Sequence, residues 1–428
     1  MKSGPKALHA SAAVSGFAPI WVNTDLQPVG QPIAVGLAMV AVVDNHGLFL
    51  VGLDPATGTE LWQQPVTSGG AAGGITFVFT RVSDDKVGYF RPFPGDSAYV
   101  QVVVADARTG RDVATSPPVM VTSMLHVCVN GKDVCTISHG IEGGREHHYR
   151  LDVAADEYIS DSDGLPPGAR LLEIGLIDLR DRPGNTLAWL RKGHLQWRTP
   201  ISAAFPPGFS SDNGWAWYRF DDQHVIVGSV FGEPQASGAR FVRDLGKTAA
   251  TAGLSEDTGE VLWRDSGSSF NCNLKNKNGY PVRCRWRGVF ARLRGGRPSF
   301  EGLDVTVEGF EPATGKTTWS VPMGPAENLA NYEAAVAIAG PTQVALRSPT
   351  GPIVLDYATG SVTTPAPGAT FWCLTTTREG GQLAAVCDGE GRPSDALPSA
   401  AATIAAGARA GDHTVIAGKR GFVGFKLR

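Results

Sequence analysis

Apolar residues occur in short runs along the chain, and turn formers close each run. Met39-Val40-Ala41-Val42-Val43 stops at Asp44-Asn45-His46-Gly47, and Val102-Val103-Val104 sits in a similar frame. No window keeps apolar residues at i, i+3, i+4 and i+7 over several turns, so the pattern predicts strands joined by tight turns. One stretch organises the rest: Gly52-Leu53-Asp54-Pro55-Ala56-Thr57-Gly58-Thr59-Glu60-Leu61-Trp62. It reads as a strand ending in an acid, a turn closed by Thr-Gly, and a second strand carrying an indole. Gly takes positive φ without a Cβ clash, and Asp and Thr can bond the turn's own backbone. The indole adds a flat apolar body with one N–H that needs a partner.

The same eleven-residue register recurs. Gly309 to Trp319 carries Glu311, Thr314, Gly315 and Trp319, and Gly253 to Trp263 carries Ser255, Thr258, Gly259 and Trp263. Val354 to Thr364 keeps Asp356, Thr359 and Gly360, and Val104 to Ala114 keeps Asp106, Thr109 and Gly110. Leu187 to Trp197 keeps Gly193 and Trp197, and Asp152 alone marks a faded copy. The copies end at 62, 114, about 160, 197, 263, 319 and 364, and most of these gaps suit one four-stranded blade of roughly 40–50 residues. Phe17-Ala18-Pro19-Ile20-Trp21 resembles the second half of such a hairpin, and the chain ends in Phe422 to Leu427, a first half. Pairing of these two ends would close a ring. The expected fold is all-β: an eight-bladed β-propeller, or seven-bladed if the copy near Asp152 is an insertion, of four-stranded antiparallel blades. Residues 1–16 read as a tail or linker and 17–428 as a single domain.

This pattern resembles the PQQ-like propeller repeat, whose docking motif reads Ala-x-Asp-x-x-Thr-Gly-x-x-x-Trp. Asp54, Thr57, Gly58 and Trp62 match it, with Gly52 in place of the alanine. The resemblance implies that Trp62, Trp197, Trp263 and Trp319 stack on neighbouring blades, with Gly259 and Gly315 in equivalent turns, so these residues are structural. Quinoprotein dehydrogenases of this family hold the quinone against adjacent cysteines and bind Ca²⁺ beside a catalytic Asp. This chain has no adjacent cysteines, and Asp54, Asp106 and Asp356 belong to the turns. A PQQ-dependent dehydrogenase is therefore the weaker alternative, and no cofactor, metal or catalytic set is expected.

Composition sharpens the setting. Charged residues make up 18%, with Gly 53 and Pro 29, a turn-rich balance. A net charge of −3 gives no reason to expect nucleic acid. Six cysteines fall in three pairs: Cys128 with Cys135, Cys272 with Cys284, and Cys373 with Cys387. The first of each pair follows positions 114, 263 and 364 by 14, 9 and 9 residues, so each pair would staple the same inner hairpin of a different blade. Six cysteines allow 15 connectivities, and proximity across a hairpin favours nearest-neighbour pairing. Three disulfides imply an oxidising, extracytoplasmic compartment. The opening residues lack a signal-peptide core, so export and membrane attachment are expected to reside in a segment absent from this chain.

Other chemistry is sparse. His147-His148, with His139 and Glu146 nearby, offers metal-ligand types, but adjacent residues on a strand point to opposite faces. The sharpest anomaly is Arg283-Cys284-Arg285-Trp286-Arg287, followed by Arg292, Arg294 and Arg297. On a strand Arg283, Arg285 and Arg287 share one face, and Arg292 and Arg294 another if extended. Such a row suits an anionic ligand or partner, unless neighbouring blades turn it into internal ion pairs. Phe205 to Asn213 and Glu233 to Lys247 read as loop insertions, and Ser394 to Gly411 as a short helix or a loop. The functional expectation is an exported, membrane-tethered, monomeric scaffold that binds another cell-envelope protein, as BamB-like members do. The alternative is the ligand-sensing ectodomain of a larger membrane protein.

Overall fold

A computed structural model of the chain describes residues 18–69, 78–128, 130–139, 146–160, 169–173, 176–179, 185–191, 194–233, 235–237, 240–270, 279–293, 298–325, 337–348, 350–377 and 379–427. It divides into two compact units, one of Met1–Leu165, Thr370–Cys387 and Pro393–Arg428, the other of Pro166–Ala369 and Asp388–Arg392. Both are built of sheets, most of them four-stranded, whose strands pair antiparallel as in a β-propeller, save one parallel contact of Ala384 with Gly418 in the first unit.

In the first unit, sheet A comprises Ile33–Val35, Ala38–Asp44, Leu48–Leu53 and Glu60–Pro65. Sheet B comprises Phe79–Arg81, Lys86–Pro92, Val100–Asp106 and Asp112–Thr115. Sheet C comprises His126–Val127, Val134–His139, Glu146–Asp152 and Glu157–Ser160. The first six residues of Ala38–Asp44 are all buried, so both faces of this strand are covered, which is why its sequence is continuously apolar rather than alternating. The two chain ends meet here. Trp21–Asn23 pairs with Gly421–Lys426, with Trp21 opposite Gly424, and His413–Gly418 pairs with the other side of that strand.

In the second unit, sheet D comprises Arg170–Glu173, Leu176–Leu179, Thr186–Arg191 and His194–Pro200. Sheet E comprises Phe209–Phe220, Val225–Gly232, Ala249–Ser255 and Val261–Ser266. Sheet F carries Ser268–Ser269, the long strands Val282–Leu293 and Pro298–Phe310, and Thr317–Pro325. Four more strands follow in order: Ala337–Ile338, Gln343–Ser348, Gly351–Asp356 and Val362–Thr363.

The repeated turn explains how neighbouring sheets hold together. Asp54 Oδ1 accepts from the Ala56 and Thr57 N–H groups at 2.8 and 3.3 Å, and Gly58 N–H donates to the Asp54 carbonyl at 2.8 Å. The carbonyl of the following residue then receives an indole from the preceding sheet. Trp21 Nε1 donates to Pro55 at 2.9 Å, Trp62 to Ala107 at 2.8 Å, Trp197 to Glu256 at 2.6 Å and Trp263 to Pro312 at 2.6 Å. The turn glycine lies flat on the same ring. A Cβ on Gly58, at φ +71, would come 2.4 Å from Trp21, and one on Gly315 would come 2.5 Å from Trp263. The glycine that opens each copy has its own reason. Gly52 lies opposite Trp62, Gly253 opposite Trp263 and Gly309 opposite Trp319, and a Cβ on Gly52 would lie 2.2 Å from Trp62 Nε1. The faded copy is a turn as well. Asp152 Oδ1 accepts from Ala154 and Ala155, and Asp156 takes the glycine's place at φ 51.

Two loop expectations change, and for a third the helix alternative holds. Within Phe205 to Asn213, residues from Phe209 onward belong to a strand, and the register jumps between Ser210 and Trp215, so the extra residues are taken up as a bulge. Glu233 to Lys247 includes the strand pair Gln235–Ser237 and Arg240–Asp244, which extends sheet F along Val282–Leu293. Ser394 to Gly411 contains the helix Ala400–Ala406, with Ser399 accepting from the Ala402 N–H as its N-cap.

Candidate functional site

The arginine row follows the strand alternation. Val282, Cys284 and Trp286 join the core on one face of Val282–Leu293, which sends Arg283, Arg285 and Arg287 to the other. That face is covered. Arg283 Nε donates to Glu308 Oε2 at 2.9 Å, and Arg285 donates through Nε to Oε1 at 2.7 Å and through Nη2 to Oε2 at 3.0 Å. Asp265, on the adjacent sheet E, accepts from Arg285 Nη2 at 2.9 Å and lies 3.2 Å from Arg283 Nη1. Thr317 and Ser268 complete the shell, accepting from Arg283 Nη2 and donating to Asp265 Oδ2. The Arg283 guanidinium also lies over the Phe310 ring at 5.1 Å.

Two guanidinium groups thus face two carboxylates, with Arg283 only 2% exposed. An incoming anion would have to displace both acids, so Arg283 and Arg285 form an internal network rather than an open basic row. Arg287 is exposed. The Arg292 side chain and all of Arg294 lie outside the described residues. Burial pushes the Glu308 carboxyl up, but hydrogen bonds from Arg285 and Arg283 outweigh it and hold the group below the ordinary glutamate value. The Glu308 hydrogen bond correspondingly raises Arg285, against burial.

The docking residues come together as sheet-to-sheet clasps: Gly58 on Trp21, in the turn that Asp54 and Thr57 shape, Gly259 on Trp197, and Gly315 on Trp263. Trp62 lies on Gly110, and Trp319 on Gly360. A second clasp escapes a motif search. The residue two positions after the indole bonds the carbonyl of the same turn glycine: Asn23 to Gly58 at 2.8 Å, Gln64 to Gly110 at 3.3 Å and Thr199 to Gly259 at 2.7 Å. A polar residue two places after Trp21, Trp62 and Trp197 was the available signal, although Val321 stands at that place after Trp319. Glu256 was missed too. It is 1% exposed and receives Arg219 Nε at 3.0 Å, with Arg191 at 3.7 Å. The sequence signal is an acid where other copies carry Pro55, Ala107 or Pro312.

Cys128 and Cys135 form a disulfide across the first two strands of sheet C, with Cα atoms 5.1 Å apart. Cys373 and Cys387 form another, at 6.0 Å. This one joins Thr370–Thr376 to Gln382–Asp388, strands lying beside His413–Gly418, instead of the first hairpin of a repeat. Cys284 is disulfide-bonded, and Cys272 lies outside the described residues. His139 pairs with Glu146 across sheet C and His148 with Ile137, and the side chains of His139, Glu146 and His147 are outside the described set. Among the described residues no three His, Cys, Asp or Glu side chains gather as metal ligands.

No family model matches the chain, and no curated protein matches it. Solved structures similar to it include BamB from Moraxella catarrhalis, at 12% identity and TM-score 0.43, covering 96% of this chain and 100% of that one. The quinohemoprotein alcohol dehydrogenase from Comamonas testosteroni aligns at 10% identity and TM-score 0.36, over 96% of this chain and 76% of that one. A putative 6-phosphogluconolactonase from Bacteroides fragilis aligns at 12% identity and TM-score 0.36, over 79% and 93%.

Proposed function

We propose that this chain is an eight-bladed propeller of the PQQ-like repeat type, serving as an exported, membrane-tethered scaffold for another cell-envelope protein. The observation that carries the reading is the pair of cross-strand disulfides, because such bonds persist in oxidising compartments. The use of the conspicuous side chains agrees with it. The indoles, turn acids and glycines are spent on docking sheets, and Arg283 and Arg285 on neutralising Glu308 and Asp265. What remains for a partner is the loops, such as the exposed turn around Gly95 and Asp96, on a rigid frame.

Two measurements in the native host test this. Thiol alkylation under denaturing, non-reducing conditions should find all six cysteines blocked in protein taken from the envelope fraction. A photo-crosslinker at Gly95 should give one reproducible adduct with an envelope protein, lost when the crosslinker is moved to a buried position. Cytosolic protein with reactive thiols would overturn the compartment, and no adduct from any exposed loop would overturn the scaffold.

A further inference from the structure

We infer that the second unit holds a binding site for a small organic monocarboxylate, read by Arg264. The site is a pocket of about 350 Å³ between residues 202–207 and the last two strands of sheet E. That volume is at the lower end of the roughly 300–1,000 Å³ usual for small-molecule sites.

Arg264 is already oriented. Its Nε donates to the Ala203 carbonyl at 2.9 Å, and Nη2 donates to the same oxygen. One edge of the guanidinium is therefore fixed to the pocket wall. The other edge keeps an N–H on Nη2 and both on Nη1, the fork geometry that accepts a carboxylate through two parallel hydrogen bonds. No carboxylate of a described residue pairs with Arg264.

The one acid at the pocket, Asp265, is committed to Arg283, Arg285 and Ser268. Counting Arg264, Arg283 and Arg285 against Asp265 and Glu308 leaves one net positive charge (3 − 2 = +1). Ser202 and Ser266 add hydroxyls to the lining. Apart from Thr251, whose hydroxyl donates to the Ser268 carbonyl, the remaining wall is apolar: Ala204 and Phe205 are buried, Phe205 stands edge-on to Trp217 at 6.0 Å, and Pro206 follows. A charged head at one end and a short hydrocarbon or aryl wall select an acid with a small apolar body. Arg264 is exposed, so a neutral alcohol would leave its free edge to water and forgo the charge-assisted two-bond pairing that a carboxylate makes, and a bulky polyanion would not fit.

The experiment is ligand-observed fluorine NMR with 4-fluorobenzoate as probe, on the full chain. Wild type should bind with Kd on the order of 1 mM, as expected of so small a ligand. Arg264→Met should weaken binding at least about tenfold, and Arg264→Lys less, since it keeps the charge and loses the fork. Ser202→Trp, at an exposed position, should block the pocket. On wild type alone, 4-fluorobenzyl alcohol should bind about tenfold more weakly than the acid, so the test survives if a variant fails to fold. Equal binding by Arg264→Met, equal binding of the alcohol, or no broadening of the acid's signal would each overturn the assignment. The compartment and crosslinking experiments do not depend on this result.

Discussion

Replacing Glu308 with Gln tests whether the arginine network holds sheet F together. The change keeps the shape and removes one of two negative charges facing two guanidinium groups. Among the described residues, Arg283, 2% exposed, is left with Asp265 at 3.2 Å as its only anionic neighbour. Breaking a buried pair by removing one partner costs roughly 3–5 kcal/mol. Because Asp265 stays and Arg285 is 30% exposed, the lower end applies, about 3 kcal/mol. Arg283→Met should cost less, since Glu308 then retains both hydrogen bonds from Arg285. The pair thus predicts an order as well as a size. Hydrogen exchange suits a chain of two compact units, because it reads local opening. Peptides covering 282–293 and 303–310 should exchange roughly a hundredfold faster in Glu308→Gln at pH 7, with distant peptides unchanged. The effect must also depend on pH. The folded-state pKa of Glu308 lies below the ordinary glutamate value of 4.5, so its contribution is present above that pH and is lost as pH falls through the folded value. Wild type and Glu308→Gln should converge in acid. Exchange within a factor of two of wild type at pH 7, or a larger effect from Arg283→Met, would refute the reasoning.

Further outcomes follow from the docking turns and the buried groups. Gly58→Ala should destabilise well beyond Gly95→Ala: both glycines have positive φ, but only at Gly58 would the Cβ strike an indole, Trp21 at 2.4 Å. Chemical denaturation of the two variants separates indole contact from backbone strain, which alone costs roughly 1–2 kcal/mol. Replacing Cys128 and Cys135 with Ser, a separation of 7 residues, should cost about 2.4 kcal/mol on the chain-entropy estimate, and the Cys373–Cys387 pair, separated by 14, about 3 kcal/mol; midpoints unchanged from wild type would contradict a structural role. Asp178 is fully buried with Oδ1 unpartnered, and burial raises its carboxyl. A raised pKa favours folding below the unfolded value and loses that contribution as pH rises, so Asp178→Asn should melt above wild type at pH 8, with the gap closing in acid. A lower melting temperature at pH 8 would count against this.

The docking turns are legible in the sequence because their chemistry has few substitutes. A position at φ +71 against an indole face admits little besides glycine, and the acid before it must accept two backbone N–H groups. Degenerate copies show the limit. At Asp156 an aspartate takes the positive-φ position, so a search for Thr-Gly sees only Asp152. The polar clasp at Asn23, Gln64 and Thr199 is chemically consistent and compositionally diverse, which hides it. The arginine row shows a different limit. Alternation along Val282–Leu293 tells which side chains share a face, and says nothing of what covers it. Glu308 stands opposite Arg283 through strand pairing that no local motif encodes, and Asp265 arrives from another sheet.

Asp265 links these features. It stands two places after Trp263, where Asn23, Gln64 and Thr199 bond the next turn's glycine carbonyl. Here the position is anionic, and it turns to Arg283 and Arg285 on sheet F instead. A neutral clasp between sheets has become an ionic one, drawing two guanidinium groups toward the sheet E edge. The same aspartate lines the pocket beside Arg264, where its charge is already matched. Because Arg283 and Arg285 take this aspartate, the Arg264 edge has no acid of its own among the described residues. The network is neutral in itself, two guanidinium groups against two carboxylates, so the positive balance of that pocket is the charge of Arg264.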